Sequence, residues 1–119
     1  MTEQRKTPPA YLWYPRDFDM DEEVKLMTYE EEGIYRRLLD HQWFHGGIPA
    51  DLALTAKLVP KVSAVRFRKC WLAMAAKFEA DGARLVNRKL ERVRAEYGEF
   101  IERRSRAGRR GAEARWRTA

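Results

Sequence analysis

Residues 103–119, RRSRAGRRGAEARWRTA, hold seven arginines and one glutamate, a local charge of +6. A guanidinium stays charged at any physiological pH, and its planar fork matches a pair of phosphate oxygens. Arg103, Arg104, Arg106, Arg109, Arg110 and Arg115 are therefore candidates for contact with a nucleic-acid backbone. Six such contacts imply a log–log salt slope of roughly −5. The run is Gly-interrupted and Ala-rich, so it can be disordered when free and ordered on phosphates. Trp116, among these arginines, has the ring face to stack on a base, although docking on the domain's own surface, or disorder, accounts for it better. A tail that only aids solubility is the plainer alternative.

A second candidate group, the cationic Lys61, Arg66, Arg68 and Lys69 with the hydroxyl of Ser63, opens the basic half of the chain. Arg and Lys pair with phosphates or with the acceptor edge of guanine; the competing reading is an ordinary solvated helix face. Arg84 lies beside a turn, where it either meets a DNA backbone or is simply an exposed strand residue. Other residue types offer less. His41 and His45 stand four apart beside Asp40, but no third histidine exists and the HExxH glutamate is missing. Glu30, Glu31 and Glu32 point in different directions if helical, and suit a helix N-terminus better than a metal cluster. Cys70 reads as a small apolar filler without a partner base. No catalytic constellation, phosphate-cradling glycine loop, metal or cofactor is expected, and the protein is read as no enzyme.

The charge is unevenly spread. Residues 1–60 carry 7 Lys/Arg against 11 Asp/Glu, a balance of −4, whereas residues 61–119 carry 17 against 7, a balance of +10. Such a split suggests one face that seeks a polyanion and another that does not. At 119 residues the chain can build one compact core. A lone cysteine excludes an intrachain disulfide, and no stretch has the length and apolarity of a membrane span or signal peptide. A cytoplasmic protein without a membrane partner is expected.

The elements that would position these residues follow from periodicity and punctuation. Residues 1–10 read as a flexible N-terminus, with Pro8-Pro9 denying it a helix. YLWYPRDF at 11–18 reads as an extended aromatic arm laid across the domain, and Asp19–Lys25 as a loop or short helical turn. Thr28 and Glu31 form a capping box for a helix from Tyr29 to about Phe44, with Ile34, Tyr35, Leu38, Leu39 and Trp43 on one face. Gly46-Gly47 ends it, and Ile48 begins a short strand. Asp51 caps a second helix, Leu52–Leu58, with Leu54 and Leu58 one turn apart, until Pro60 breaks it. Ser63 caps a third, from Ala64 to about Lys77, with a stripe of Phe67, Cys70, Trp71, Met74 and Phe78. Phe78–Asn87 reads as a hairpin turning at Asp81-Gly82. Asn87 caps a fourth helix bearing Leu90, Val93, Tyr97, Phe100 and Ile101, which frays after Arg104. The order helix, strand, helix, helix, strand, strand is that of a winged helix-turn-helix, in which the Ser63–Lys77 helix would enter the major groove.

The runs TYEEEGIYRRLLDHQW and GGIPAD, with YPRDF before them and the DG hairpin and RSRAGRRGAEARW after, resemble a prophage-encoded family typified by the YdaU protein. That family is related to the N-terminal DNA-binding domains of phage replisome organisers. The resemblance spans roughly Tyr11 to Trp116. It implies a winged-helix fold and a phage or prophage role in starting DNA replication, by marking an origin or loading replication proteins. Relatives often carry a tryptophan where this chain has Phe67, and many continue past ARW into a region that could recruit partners.

The expectation is thus a mostly α protein with a small β-wing (α+β): a winged-helix domain over residues 11–102, including the arm and the C-terminal helix, and a basic tail over 103–119. Its function would be DNA binding, on double-stranded DNA, in initiation or regulation of replication, with replication proteins as further partners. Positive side chains of the third helix, wing and tail should then converge on one surface. The alternative is a protein-interaction module of a phage replication or transcription complex that never touches DNA. Surplus apolar residues at Tyr97, Phe100 and Ile101 would also allow the fourth helix to pair with its own copy as a homodimer.

Overall fold

The computed structural model describes residues 8–118. It is mostly helical with one small antiparallel sheet. In chain order the elements are α1 (Pro15–Asp19), α2 (Glu22–Lys25), α3 (Tyr29–His45), β1 (Ile48–Pro49), α4 (Leu52–Ala56), α5 (Ala64–Trp71), a 3₁₀ turn (Ala75–Lys77), β2 (Glu79–Asp81), β3 (Arg84–Val86) and α6 (Arg88–Thr118). Of the N-terminus expected to be flexible, residues 1–7 lie outside the described residues.

Helix α3 is the spine. Thr28 Oγ1 accepts from the Glu31 N–H at 3.1 Å and Glu31 Oε1 accepts from the Thr28 N–H at 2.7 Å, the reciprocal box that satisfies two otherwise orphaned donors. Gly46 ends the helix in the left-handed conformation at φ 82°, which costs a glycine little. The apolar face of α3 packs with Val24, Phe67, Trp71, Met74 and Phe78 into one core, of which Leu38, Trp43, Ile48, Phe67 and Met74 are wholly buried.

The sheet has the spatial order β1-β3-β2. Gly82 (φ 62°) turns the β2–β3 hairpin, and β1 joins its outer edge with Ile48 opposite Leu85 and Pro49 opposite Arg84. Pro49 lacks an N–H, so it fits an edge strand.

Four sequence expectations need correction. The arm is extended only to Tyr14; Pro15 opens α1, because proline's fixed φ suits a first helical residue. It still lies across the body: Tyr11 packs on Trp43 with centroids 5.1 Å apart, Trp13 on Phe18 at 4.9 Å, and Trp43 Nε1 donates to the Pro8 carbonyl at 2.9 Å. Helix α4 stops at Ala56, and Thr55 is the residue it buries, while Leu54 stays half exposed. The Thr55 hydroxyl reaches the Pro49 carbonyl at 2.8 Å and so ties α4 to β1. Helix α5 ends at Trp71 rather than near Lys77, since the backbone tightens to i→i+3 bonds (Ala73 to Cys70, Met74 to Trp71). The tightening still turns Met74 and Phe78 inward, so the buried stripe survives the change of helix type.

The largest difference is α6. It does not fray after Arg104 but runs unbroken to Thr118, about 46 Å at 1.5 Å per residue. Residues 102–117 contain no proline and no β-branched side chain, and arginine, alanine and glutamate are good helix formers. Gly108 and Gly111 each cost about 1 kcal/mol relative to alanine, too little to end such a run. The molecule is therefore elongated, 67 × 33 × 24 Å, with a radius of gyration of 18.5 Å, against about 13.5 Å for a compact domain of this length. Among the described residues, no helix is long and apolar enough to cross a membrane.

Candidate nucleic-acid interface

Two cationic surfaces are present, at opposite ends of α3. The first is α5. Ser63 caps it, its Oγ accepting from the Arg66 N–H at 3.2 Å, so this hydroxyl is already engaged. Lys61 is exposed in the preceding turn. On the outward face of α5, Arg68 and Lys69 are exposed between two equally exposed aliphatics, Val65 and Leu72. These four residues recur at i, i+3, i+4 and i+7 and form a single face.

Arg66 is not free for a ligand in this arrangement. Its Nε donates to Glu30 Oε1 at 2.9 Å and a terminal nitrogen sits 2.8 Å from Oε2, a fork-on-carboxylate pair with the first turn of α3. The Cys70 thiol donates to the same Oε1 at 3.3 Å. The hydrogen bond from Arg66, and after it that from Cys70, holds the Glu30 carboxyl below the usual carboxylate range. Burial, with Glu30 beside it, pushes the Cys70 thiol up to about 11, so it stays a protonated donor.

The second surface belongs to α6. Its contacts with α3 progress from Asn87 against Tyr35 and Gln42, through Glu91 on Gln42, to Arg94 and Tyr97 on Trp43. The helix thus leaves the body past the C-terminal end of α3. Beyond Tyr97 its side chains are exposed almost without exception. Arg103, Arg106, Arg109 and Arg110 line one shallow concavity with Glu113. Arg104 and Arg115 lie on the other side of the helix by periodicity, Arg104 with its guanidinium 5.8 Å from the Phe100 ring centre and Arg115 with Nε 3.4 Å from the Gly111 carbonyl. Trp116 is exposed.

The structure does not gather the three expected groups. Arg66 lies at the Glu30 end of α3 and α6 crosses near Gln42 and Trp43, twelve residues or about 18 Å along the axis. Arg84 of the hairpin is engaged within the fold, where its guanidinium donates to the His45 carbonyl at 3.0 Å and the Gly47 carbonyl at 3.3 Å. Arg94 does likewise for the Gln42 and Trp43 carbonyls at 2.9 and 2.7 Å, with its guanidinium 4.6 Å over the Trp43 ring. Two arginines therefore donate to carbonyls at the negative end of the α3 dipole. Sequence reasoning does not single out Arg94; its position in a helix that must pack near Gly46-Gly47 is the only signal.

The joint that sets the direction of α6 is equally hidden in the sequence. Gln42 is fully buried, yet Oε1 accepts from the Asn87 N–H at 2.7 Å, while Nε2 donates to the Asn87 carbonyl at 3.0 Å and to Glu91 at 2.9 Å. Asn87 Nδ2 donates to the Tyr35 hydroxyl and the Lys77 carbonyl, both at 3.0 Å, and Oδ1 caps α6 by accepting from the Leu90 N–H at 3.1 Å. Burial pushes the Tyr35 phenol up to about 12, so it remains neutral.

His41 and His45 stack with ring centroids 4.2 Å apart, and burial, followed by His45 and Arg84, pulls the His41 pKa down. Among the described residues no three His, Cys, Asp or Glu side chains are grouped so as to hold a metal ion. Protein-family models, curated proteins and solved structures yield no match to this chain.

Proposed function

We propose that this is a DNA-binding protein of winged-helix type, with the basic half of α6 as its principal electrostatic anchor and the outward face of α5 as a second contact. The observation that carries the reading is the arginine face of α6, where Arg103, Arg106, Arg109 and Arg110 stand clear of the core with one glutamate among them. Like charges held that close on an exposed helix repel one another, and a rod of phosphates relieves the repulsion while releasing its own counterions. The helix-strand-helix-helix-strand-strand order and the β1-β3-β2 sheet support the winged-helix assignment. On that assignment α5 is the groove helix, and Arg68, Lys69 and Lys61 are its contacts. The resemblance to prophage replication proteins favours a role in initiation or regulation of DNA replication, without catalysis.

The test is fluorescence anisotropy on duplex DNA across a salt series. Affinity should fall steeply with salt. Replacing Arg103, Arg106 and Arg110 together by alanine should flatten the log–log slope by roughly 2.7, and Arg68 with Lys69 by roughly 1.8, at about 0.9 per contact. Arg84→Ala should lower the melting temperature and leave the slope alone. Undetectable or salt-insensitive binding would overturn the proposal. It would favour a protein-interaction module, the reading that Glu30 over Arg66 and the exposed Met20, Leu26 and Tyr29 in the acidic half support.

A further inference from the structure

Beside the N-terminal end of α3 lies an open concavity that nothing in the described chain fills. Its floor is Phe18, Val24 and Met27, and its rim is Asp19, Tyr29 and Glu32 with one cation, Lys25. The space, about 440 Å³, exceeds the ~150 Å³ that holds a benzene ring. Tyr29 and the neighbouring Leu26 are 90% and 80% exposed, and apolar groups clustered around a hollow mark a contact surface. The carboxylates of Asp19 and Glu32 have no hydrogen bond or ion pair among the described residues.

We infer that this concavity receives the tip of α6 of a second copy, with the Trp116 indole as the inserted group. Charge selects that occupant. Residues 15–32 hold 8 Asp/Glu against 2 Lys/Arg, a balance of −6, and residues 103–119 hold 7 Arg against 1 Glu, a balance of +6. The apolar part matches as well, since Trp116 is 81% exposed and is the one aromatic beyond Phe100. Arg109 lies two turns before it on the same helix face, and Ala112 between them is small. The indole can therefore meet the apolar floor while Arg109 comes to the acidic rim. The tip cannot reach the concavity of its own chain. Trp116 lies about 28 Å beyond Tyr97 along α6, and α6 leaves past the C-terminal end of α3, whereas the concavity is at the other end.

Each copy offers one tip and one concavity, so the contact is heterologous and copies add end to end unless a ring closes. The pairing does not rest on the DNA reading, and it is tested without nucleic acid. Sedimentation equilibrium of the full chain at roughly 10 to 200 µM, where a contact this small should associate, is expected to show a mass that rises with concentration. Raising sodium chloride from roughly 0.05 to 0.5 M should weaken the association at least about tenfold, because exposed charges are screened. Trp116→Ala, and separately Asp19→Lys with Glu32→Lys, should each leave a monomer over this range. These side chains lie outside the core, so both melts should stay within about 4 °C of the parent. Mixed in equal amounts, the two variants should form a dimer and nothing larger, because one supplies the intact concavity and the other the intact tip. A parent that stays monomeric overturns the proposal and leaves the concavity to a different basic partner. A mixture that stays monomeric overturns it too, as does either variant associating as strongly as the parent.

Discussion

Asn87 is the residue on which the position of α6 turns, and replacing it by alanine should cost about 3 kcal/mol. Three interactions are lost in a site only 7% exposed. The cap on the Leu90 N–H contributes about 1 kcal/mol, as such caps usually do. The Tyr35 hydroxyl and the Lys77 carbonyl each lose a donor at 3.0 Å. An unsatisfied buried group costs about 1 to 3 kcal/mol; the lower end applies here, because the hydroxyl can rotate and Lys77 is not fully enclosed. The Gln42 bonds run to the Asn87 backbone and survive the substitution. At roughly 4 °C per kcal/mol for a domain of this size, the melting midpoint should fall by about 12 °C. Asn87→Ser separates the parts: its hydroxyl can still cap α6 but reaches neither Tyr35 nor Lys77, so it should recover about a third of the loss. Thermal unfolding followed at 222 nm measures both. An alanine variant melting within about 2 °C of the parent, or a serine variant no better than alanine, would refute the account of this joint.

Three further outcomes follow from the geometry. A Cβ at Gly47 would meet Arg84 Cβ at 3.0 Å and the Leu85 carbonyl oxygen at 3.1 Å in a backbone conformation of φ 157°; Gly47→Ala should therefore cost about 1 to 3 kcal/mol in urea unfolding, and a neutral result would mean the β1–β3 edge yields freely. For Asp21, burial raises the carboxyl pKa, but the Lys77 hydrogen bond and the backbone N–H groups of Val24 and Glu23 outweigh it and leave the pKa lowered. A carboxyl with a depressed folded pKa stabilises the fold above its unfolded pKa near 4 and loses that contribution as pH falls through the folded value, so Asp21→Asn should lower stability at pH 7 and shrink the difference from the parent toward pH 2; a gap that widens in acid would contradict this. If DNA binds at α5, Glu30→Gln frees Arg66 for a phosphate and should steepen the salt slope by about 0.9; an unchanged slope would put Arg66 outside the interface.

Much of the fold can be read from local signals, because those signals are themselves physical. Thr28 with Glu31, Asp51, Ser63 and Asn87 each start a helix by satisfying an orphaned N–H, and all four side chains do so in the structure. Gly46 and Gly82 mark places where φ must be positive, which is why their elements end there. What cannot be read depends on partners far apart in sequence. The Glu30–Arg66 pair spans 36 residues and the Arg94–Trp43 bond 51. Nothing in either local sequence distinguishes an arginine aimed at phosphate from one aimed at a carboxylate or at a helix's last carbonyls. For this reason Arg66 and Arg84 resemble ligand contacts in the sequence, and the structure gives each an intramolecular acceptor. The tail departs from expectation for a different reason: two glycines suggest fraying, but the sum of propensities over residues 102–117 outweighs them.

The distribution of acid in the first half has a structural consequence for where a polyanion can approach. Glu30, Glu31 and Glu32 sit at the positive end of the α3 dipole, where they stabilise the helix, and this same end abuts α5. The acid that starts α3 therefore also occupies Arg66 of the candidate groove helix, leaving Arg68 and Lys69 exposed. At the other end of α3 the dipole is negative, and Arg84 and Arg94 are held by its carbonyls. Arg103, Arg106, Arg109 and Arg110 lie farther along, on α6, beyond the reach of either end. If DNA is the ligand, a long phosphate backbone would meet those first and α5 only afterwards. Selective loss of the α6 arginines should therefore slow association, whereas loss of Arg68 and Lys69 should speed dissociation. Stopped-flow anisotropy resolves the two rates, and equal effects on both for both sets of variants would show that the surfaces act as one.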